Sequence, residues 1–295
     1  MDSRQGVTPM IRVAIFSWFV IYSATPCIAE QSGKLPLWQV GASLGALSTP
    51  HYAGSDQRYN LPLVMPAIIY RGDRFRSRPD GLRGLLFMSE NVAVDIGFGG
   101  LLPVYSANNR ARKGMPDIPL TGEIGPRLVM KLYGNGEGVD VLARFPWRAA
   151  GSIDGTTAGW AFAPDILITN IEKLPWGLSA YVSAGLKYGS SQYNDLTYGV
   201  DELYSAPSRP AYRAREGITS YSFMISAGRR FNNKFATRFF LHWQTLSGSI
   251  VADSPLVKTE NDLSFGLRLT WYPWKSKSKQ SDKHRLPEPE EDIGI

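Results

Sequence analysis

Apolar and polar residues alternate along this chain at every second position. In 91–100 the even positions are Val92, Val94, Ile96 and Phe98, and the odd ones are Asn91, Ala93, Asp95 and Gly97. Between 120 and 133 one face reads Leu120, Gly122, Ile124, Pro126, Leu128, Met130 and Leu132; the other reads Thr121, Glu123, Gly125, Arg127, Val129, Lys131 and Tyr133. From 261 to 272, Leu263, Phe265, Leu267, Leu269 and Trp271 alternate with Asp262, Ser264, Gly266, Arg268 and Thr270. A period of two puts successive side chains on opposite faces of a β-strand. Runs of this length exceed the about five or six residues usual for a soluble strand. Weaker alternation recurs over 37–47, 61–70, 73–78, 82–88, 138–149, 157–171, 177–189, 217–231 and 234–247. Together these segments predict about twelve strands, or ten to twelve, since the two between 73 and 88 are short enough to form one bent strand.

The connections fall into two classes. Short turns are expected at 71–72, 89–90, 134–137, 172–175 and 232–233, and longer links at 48–60, 103–119, 150–156, 190–216 and 248–260, with 79–81 a short exception. Outer-membrane barrels sort their connections in this way, with short periplasmic turns and longer outer loops. The expected fold is therefore all-β: a closed, antiparallel transmembrane β-barrel with its apolar face toward lipid. Trp38, Trp147, Trp160, Trp176, Trp271 and Trp274 fall near predicted strand ends, with Trp243 somewhat inside one. Indole rings favour the headgroup level, where the ring is buried and the N–H stays wet.

The opposite face then lines the interior. It carries Asp95, Glu123, Arg127, Lys131, Asp140, Arg144, Arg148, Lys187, Arg230, Arg238, Asp262 and Arg268, of which eight are basic. Charges this far from bulk solvent must pair across the lumen or touch water. Pro126 has no N–H to give a ladder, which predicts a local bulge there.

The two ends read differently. Arg4 and Arg12 precede the apolar run 13–24, and a Thr-Pro-Cys-Ile-Ala stretch ends at Ala29. A basic start, a short apolar segment and small residues before a cut describe a secretory signal peptide. The expected division is a signal peptide over 1–29, a barrel over 30–274 and a charged tail over 275–295. Cleavage after Ala29 would remove Cys27, the sole cysteine. After residue 30 no apolar run approaches the about 18 residues of a spanning helix. The tail is Lys/Ser-rich and then Pro/Glu-rich, a composition too poor in apolar mass to build a core.

Composition narrows the chemistry. One cysteine excludes an internal disulfide framework. Three histidines (His51, His242 and His284) argue against a multi-His metal centre. The net charge of +6 in 295 residues is modest, and its basic residues are scattered among strands rather than striped as nucleic-acid binding needs. Gly41-Ala-Ser43-Leu-Gly45 matches the G-x-S-x-G pattern, but a nucleophile elbow needs a helix after the serine, and here Ser43 sits within an alternating strand. His242 has no serine beside it to suggest a barrel lipase. Gly134 to Gly138 resembles a phosphate loop, yet it joins two strands. The expectation is a non-enzymatic protein with no catalytic, cofactor-binding or metal residue.

Four segments, in order along the chain, resemble the MipA/OmpV family of Gram-negative outer-membrane proteins. They are His51-Tyr-Ala-Gly-Ser-Asp56 followed by Leu61-Pro-Leu; Leu120-Thr-Gly-Glu-Ile124; Tyr198-Gly-Val-Asp-Glu202 with Ala211-Tyr212 and Glu216-Gly217; and Leu246 to Val257, which is similar to the family's signature before its last strand. Family barrels tend to end on an aromatic residue, whereas here Trp271-Tyr-Pro-Trp274 is followed by 21 more residues. The resemblance implies an outer-membrane scaffold that brings a murein-cleaving lytic transglycosylase, MltA, together with a murein synthase. The partners so implied are outer-membrane lipid and a periplasmic murein hydrolase or synthase. A small solute pore or solute-binding barrel, suggested by the basic interior, and an adhesin using loops 103–119 and 190–216 are the alternatives.

Overall fold

The computed structural model describes residues 36–278, apart from 73–74, 79–80, 135–137, 153–154, 156 and 233. The expected signal peptide and most of the expected tail lie outside the described residues. The strands are β1 (Trp38–Pro50), β2 (Arg58–Arg71), β3 (Phe75–Arg78), β4 (Gly81–Met88), β5 (Val92–Leu101), β6 (Thr121–Tyr133), β7 (Asp140–Ser152), β8 (Thr157–Phe162), β9 (Asp165–Leu174), β10 (Leu178–Gly189), β11 (Gly217–Arg230), β12 (Phe235–Thr245) and β13 (Asn261–Lys275). An α-helix, α1 (Ser191–Tyr198), lies between β10 and β11.

All pairings are antiparallel and, apart from those of β8 and β9, join sequence neighbours, and β13 pairs back onto β1 with Gln39 opposite Lys275 and Ser48 opposite Phe265. The ladder thus forms a ring, which removes the exposed edges that make an open sheet prone to association. β8 and β9 share one place in that ring. Both pair with β7 in a single register, Trp147 facing Phe162 and Arg144 facing Asp165, and both also meet β10. The interruption falls at Ala163-Pro164, where proline has no N–H to donate. Thirteen named strands therefore fill twelve places, the segments that the alternation predicted.

Pro126 does not produce the expected bulge. The β6–β7 register is the same on either side of it, with Ile124 opposite Ala149 and Arg127 opposite Pro146. Pro146 of the facing strand also lacks an N–H, so two missing donors share one stretch of ladder and no residue is extruded. A bulge occurs instead in β8. Ala149 faces Trp160 while Gly151 faces Thr157, with Gly159 at φ +81°. Glycine adopts this conformation without a steric penalty.

The faces are inverted relative to a soluble protein. On β13, Leu263, Phe265, Leu267, Leu269 and Trp271 are exposed, while Asp262 and Thr270 are buried. On β6, Ile124, Met130 and Leu132 point out, while Thr121, Glu123, Arg127 and Val129 point in. Aromatic rings gather toward both ends of the outer face. Trp147 lies 5.4 Å from Trp160, which stacks on Tyr188 at 5.8 Å; Phe235 and Trp274 flank Trp271 at 6.3 and 6.5 Å.

The interior is not uniformly polar. Ala93, Val129, Leu142, Leu167 and Tyr181, joined by Leu85, Met88 and Met224, form an apolar cluster inside the ring. A second cluster, Tyr52, Val104, Ile118, Tyr198, Val200, Ala214, Leu246, Val251 and Leu256, is built from the longer loops.

Candidate functional site: the charged lumen and its loop cap

Several of the inward charges expected from alternation meet a partner of opposite sign. Asp95 and Arg127 face one another across β5 and β6. Their bonds are bidentate, Nε to Oδ1 at 3.0 Å and Nη2 to Oδ2 at 2.5 Å, and the residues are 2% and 5% exposed. Two parallel N–H···O bonds suit the planar guanidinium fork. Arg144 pairs in the same way with Asp165, directly opposite on β9. Glu123 accepts from the Tyr193 hydroxyl at 2.7 Å and lies 3.6 Å from Arg148 Nη1. Asp140 accepts from Asn170 Nδ2 at 2.6 Å.

Three further arginines, Arg230, Arg238 and Arg268, lie on β11 to β13. Arg238 and Arg268 are directly opposite each other. Arg238 donates to Ser226 Oγ at 3.3 Å and lies over the Tyr181 ring at 5.6 Å, which places it against the apolar cluster. Arg230 lies over the Tyr272 ring at 6.0 Å. Arg268 Nη2 is buried without a hydrogen-bond partner. Lys131 is half-buried at the far end of β6.

At the long-loop end the connections fold into a cap. Tyr52 donates to Leu256 O at 2.8 Å, Tyr198 to Ala53 O at 3.1 Å, and Ser254 Oγ to Tyr198 O at 2.7 Å. Arg112, in the 102–120 connection, is buried and donates to Thr197 O at 2.8 Å, Pro116 O at 3.2 Å and Ser106 Oγ at 3.4 Å, tying that loop to α1. Asp262 Oδ2 accepts from Gly54 N at 2.5 Å and fixes the cap to β13. Burial raises the Tyr52 phenol to about 12, against a smaller opposing pull from Arg112. Burial also raises Tyr198 and lowers Arg112. Partial burial lowers His51, with Asp56 working against it.

Helix α1 is pinned at its start. Ser190 Oγ accepts from Tyr193 N as the N-cap and from Trp160 N at 3.1 Å, and Ser190 N donates to Trp160 O at 3.0 Å. A Cβ on Gly159 would sit 2.3 Å from Ser190 Oγ, so the bulge glycine lets the helix approach the wall. The helix carries Tyr193 to Glu123 and to Lys187, whose Nζ is 3.4 Å from the tyrosine oxygen. Beneath the cap lies a cavity of about 150 Å³ whose lining includes Lys187, Asn194, Ser220, Gln244, Tyr52 and Ile118.

Residues 41–272 match the model of the family described as MltA-interacting protein MipA. This chain belongs to the MipA family. The match runs from β1 into β13 and so covers the whole ring. A search of curated proteins finds no match. Among solved structures, the chain is similar to a bacterial polysaccharide outer membrane secretin (TM-score 0.39, 9% identity, 79% of this chain and 98% of that one). It is also similar to OprB of Pseudomonas putida (0.36, 10%, 72% and 60%) and to the toluene transporter TodX of the same organism (0.29, 10%, 79% and 88%).

Four residues of the MipA-family site were not marked by alternation. Asp165 follows the β8 bulge, which reverses the parity of the segment 157–171. Arg112, Tyr193 and Asn194 lie in connections, where no period exists to read. Ser43 of the G-x-S-x-G match is an inward wall residue whose Oγ lies 2.9 Å from Thr270 Oγ1. Among the described residues no group of three or more His, Cys, Asp or Glu could hold a metal. No described helix is long and apolar enough to cross a membrane, which says nothing of strands.

Proposed function

We propose that this protein is a non-enzymatic outer-membrane β-barrel that anchors a murein hydrolase at the periplasmic face. The observation that carries the membrane assignment is the inversion of its faces: apolar residues outside, ion pairs within. Strands of ten to fifteen residues such as β5, β11 and β13 meet the about 9–11 residues that a tilted strand needs to cross the hydrocarbon. A leader cleaved after Ala29 delivers the chain, the short turns face the periplasm, and the 275–295 tail leaves on that same side. The family's name, MltA-interacting protein, supports MltA as the partner. The packed loop cap and the apolar cluster inside the ring favour an anchor over an open channel.

The experiment has two steps. Membrane fractionation with heat-dependent gel migration is expected to give an outer-membrane band that shifts on boiling, as folded barrels do. Pull-down from detergent-solubilised envelopes is then expected to recover a lytic transglycosylase. A freely soluble, non-shifting chain overturns the membrane assignment, and a folded barrel that recovers no murein enzyme overturns the partner.

Arg268, whose buried Nη2 has no hydrogen-bond partner, favours one second reading, conduction of anions. Planar-bilayer recording tests it: current steps that Arg268→Ala alters support it, and a silent bilayer removes it.

A further inference from the structure

We propose that the cavity beneath the loop cap is a binding site for a small α-hydroxy- or α-amino-carboxylate. Three features of its lining select that class. Lys187, on β10, brings an ammonium group to the cavity. Among the described residues no carboxylate lies within ion-pair distance of it; its neighbours are the Tyr193 hydroxyl at 3.4 Å and the Tyr193 ring at 5.7 Å. The Tyr193 proton is committed to Glu123, so that oxygen accepts from Lys187 and leaves two of the three ammonium N–H groups for a ligand. Glu123 reaches this half-buried ammonium only through the Tyr193 hydroxyl, so an entering carboxylate supplies its direct counter-charge.

Asn194 supplies the second feature. It is 1% exposed, and its Nδ2 donates to Gly189 O at 3.1 Å and Arg215 O at 2.7 Å. Those two bonds fix the amide so that Oδ1 is the acceptor, and Oδ1 is buried with no partner. A ligand with a hydroxyl or ammonium beside its carboxyl gives that oxygen a donor. The third feature is composition and size. The remaining wall is mixed, apolar at Val104 and Ile118 and polar but uncharged at Thr219, Ser220 and Gln244, and contains no Asp or Glu. A volume of about 150 Å³ accommodates a solute the size of benzene. The site is independent of the anchoring role, because it lies under the loop cap and not among the short turns.

The test uses the full chain folded in detergent micelles, with folding of each variant checked by heat-shifted migration. Sodium L-lactate is titrated and followed by saturation-transfer NMR, beside its neutral counterpart lactamide. Lactate is expected to bind saturably, and lactamide at least about tenfold more weakly, because removing one partner of a charge pair costs at least that much. Lys187→Met is expected to weaken lactate by about tenfold or more while leaving lactamide unchanged. Ala53→Leu, which adds bulk to the cavity wall without touching the charge, is expected to abolish binding of both. Equal affinity for lactate and lactamide, no saturable lactate signal with folded wild type, or unchanged lactate binding in Lys187→Met overturns the proposal. If Lys187→Met does not fold, Ala53→Leu decides: lost binding supports the site, and retained binding overturns it.

Discussion

Replacing Arg112 by methionine keeps most of the side chain's bulk and removes its donors. Three bonds are lost, to Thr197 O, Pro116 O and Ser106 Oγ. They are not equivalent. Pro116 O keeps a bond from Ser106 Oγ at 2.7 Å, and Ser106 has that same partner, so only Thr197 O is orphaned. A buried carbonyl left without a donor costs about 1–3 kcal/mol, and a bond to a charged group contributes about 1.5–3 kcal/mol net. Release of the burial cost of the guanidinium offsets part of the sum. A net loss of about 2–4 kcal/mol is expected, confined to the cap, which corresponds to opening about 30- to 900-fold more often. Hydrogen exchange reads this at the amides that bridge the cap strands, Val104 with Ile118 and Val200 with Tyr212. Those amides are expected to lose protection while the β12–β13 ladder keeps its own. Unchanged cap protection would show that Arg112 holds nothing together, and equal loss in the ladder would show that cap and barrel are one cooperative unit.

Three further outcomes are expected. Arg127→Ala leaves Asp95 buried without its fork partner and should lower barrel stability in urea by about 3–5 kcal/mol, with Asp95→Ala in the same chain recovering much of it. Tyr52 titrates near 12 in the folded protein against about 10 when unfolded, so its contribution is complete below pH 10 and is lost as pH rises from 10 to about 12. Phenolate absorbance is expected to show several buried tyrosines ionising late, and the Tyr52→Phe variant to lose one tyrosine's worth of the step near pH 12. Gly159→Ala forces a side chain into a left-handed conformation and against Ser190 Oγ, and should detach α1 from β8. Raised protease sensitivity in 190–216 with an intact heat shift checks this.

Much of the barrel was written in period two, because a membrane wall punishes every error in facing. Leu263 to Trp271 and Asp262 to Thr270 could each be assigned a side from order alone. What escaped were breaks in that period and interactions between distant segments. The β8 bulge hid Asp165, since one extra residue turns every later side chain to the other face. Pro126 reads as a bulge because Pro146, opposite the next residue Arg127 on the facing strand, is invisible until the register is known. The apolar cluster of Leu142, Leu167 and Tyr181 inside the ring was not expected from a polar-inward rule. The cap depends on Arg112 meeting Thr197 and on Tyr52 meeting Leu256, contacts between loops far apart in the chain, which no local spacing encodes.

The seam between β1 and β13 has a consequence for how the molecule comes into being. Ser43 meets Thr270 and Thr49 meets Ser264 across more than two hundred residues of intervening chain. Without the final strand the first keeps an unsatisfied edge, so a chain truncated before residue 261 is a wall of eleven places with two open sides. The finished wall, by contrast, keeps no memory of where translation started. Joining the ends near Trp38 and Lys275 and cutting a short turn such as 89–91 should yield a reordered polypeptide that rebuilds the same cylinder.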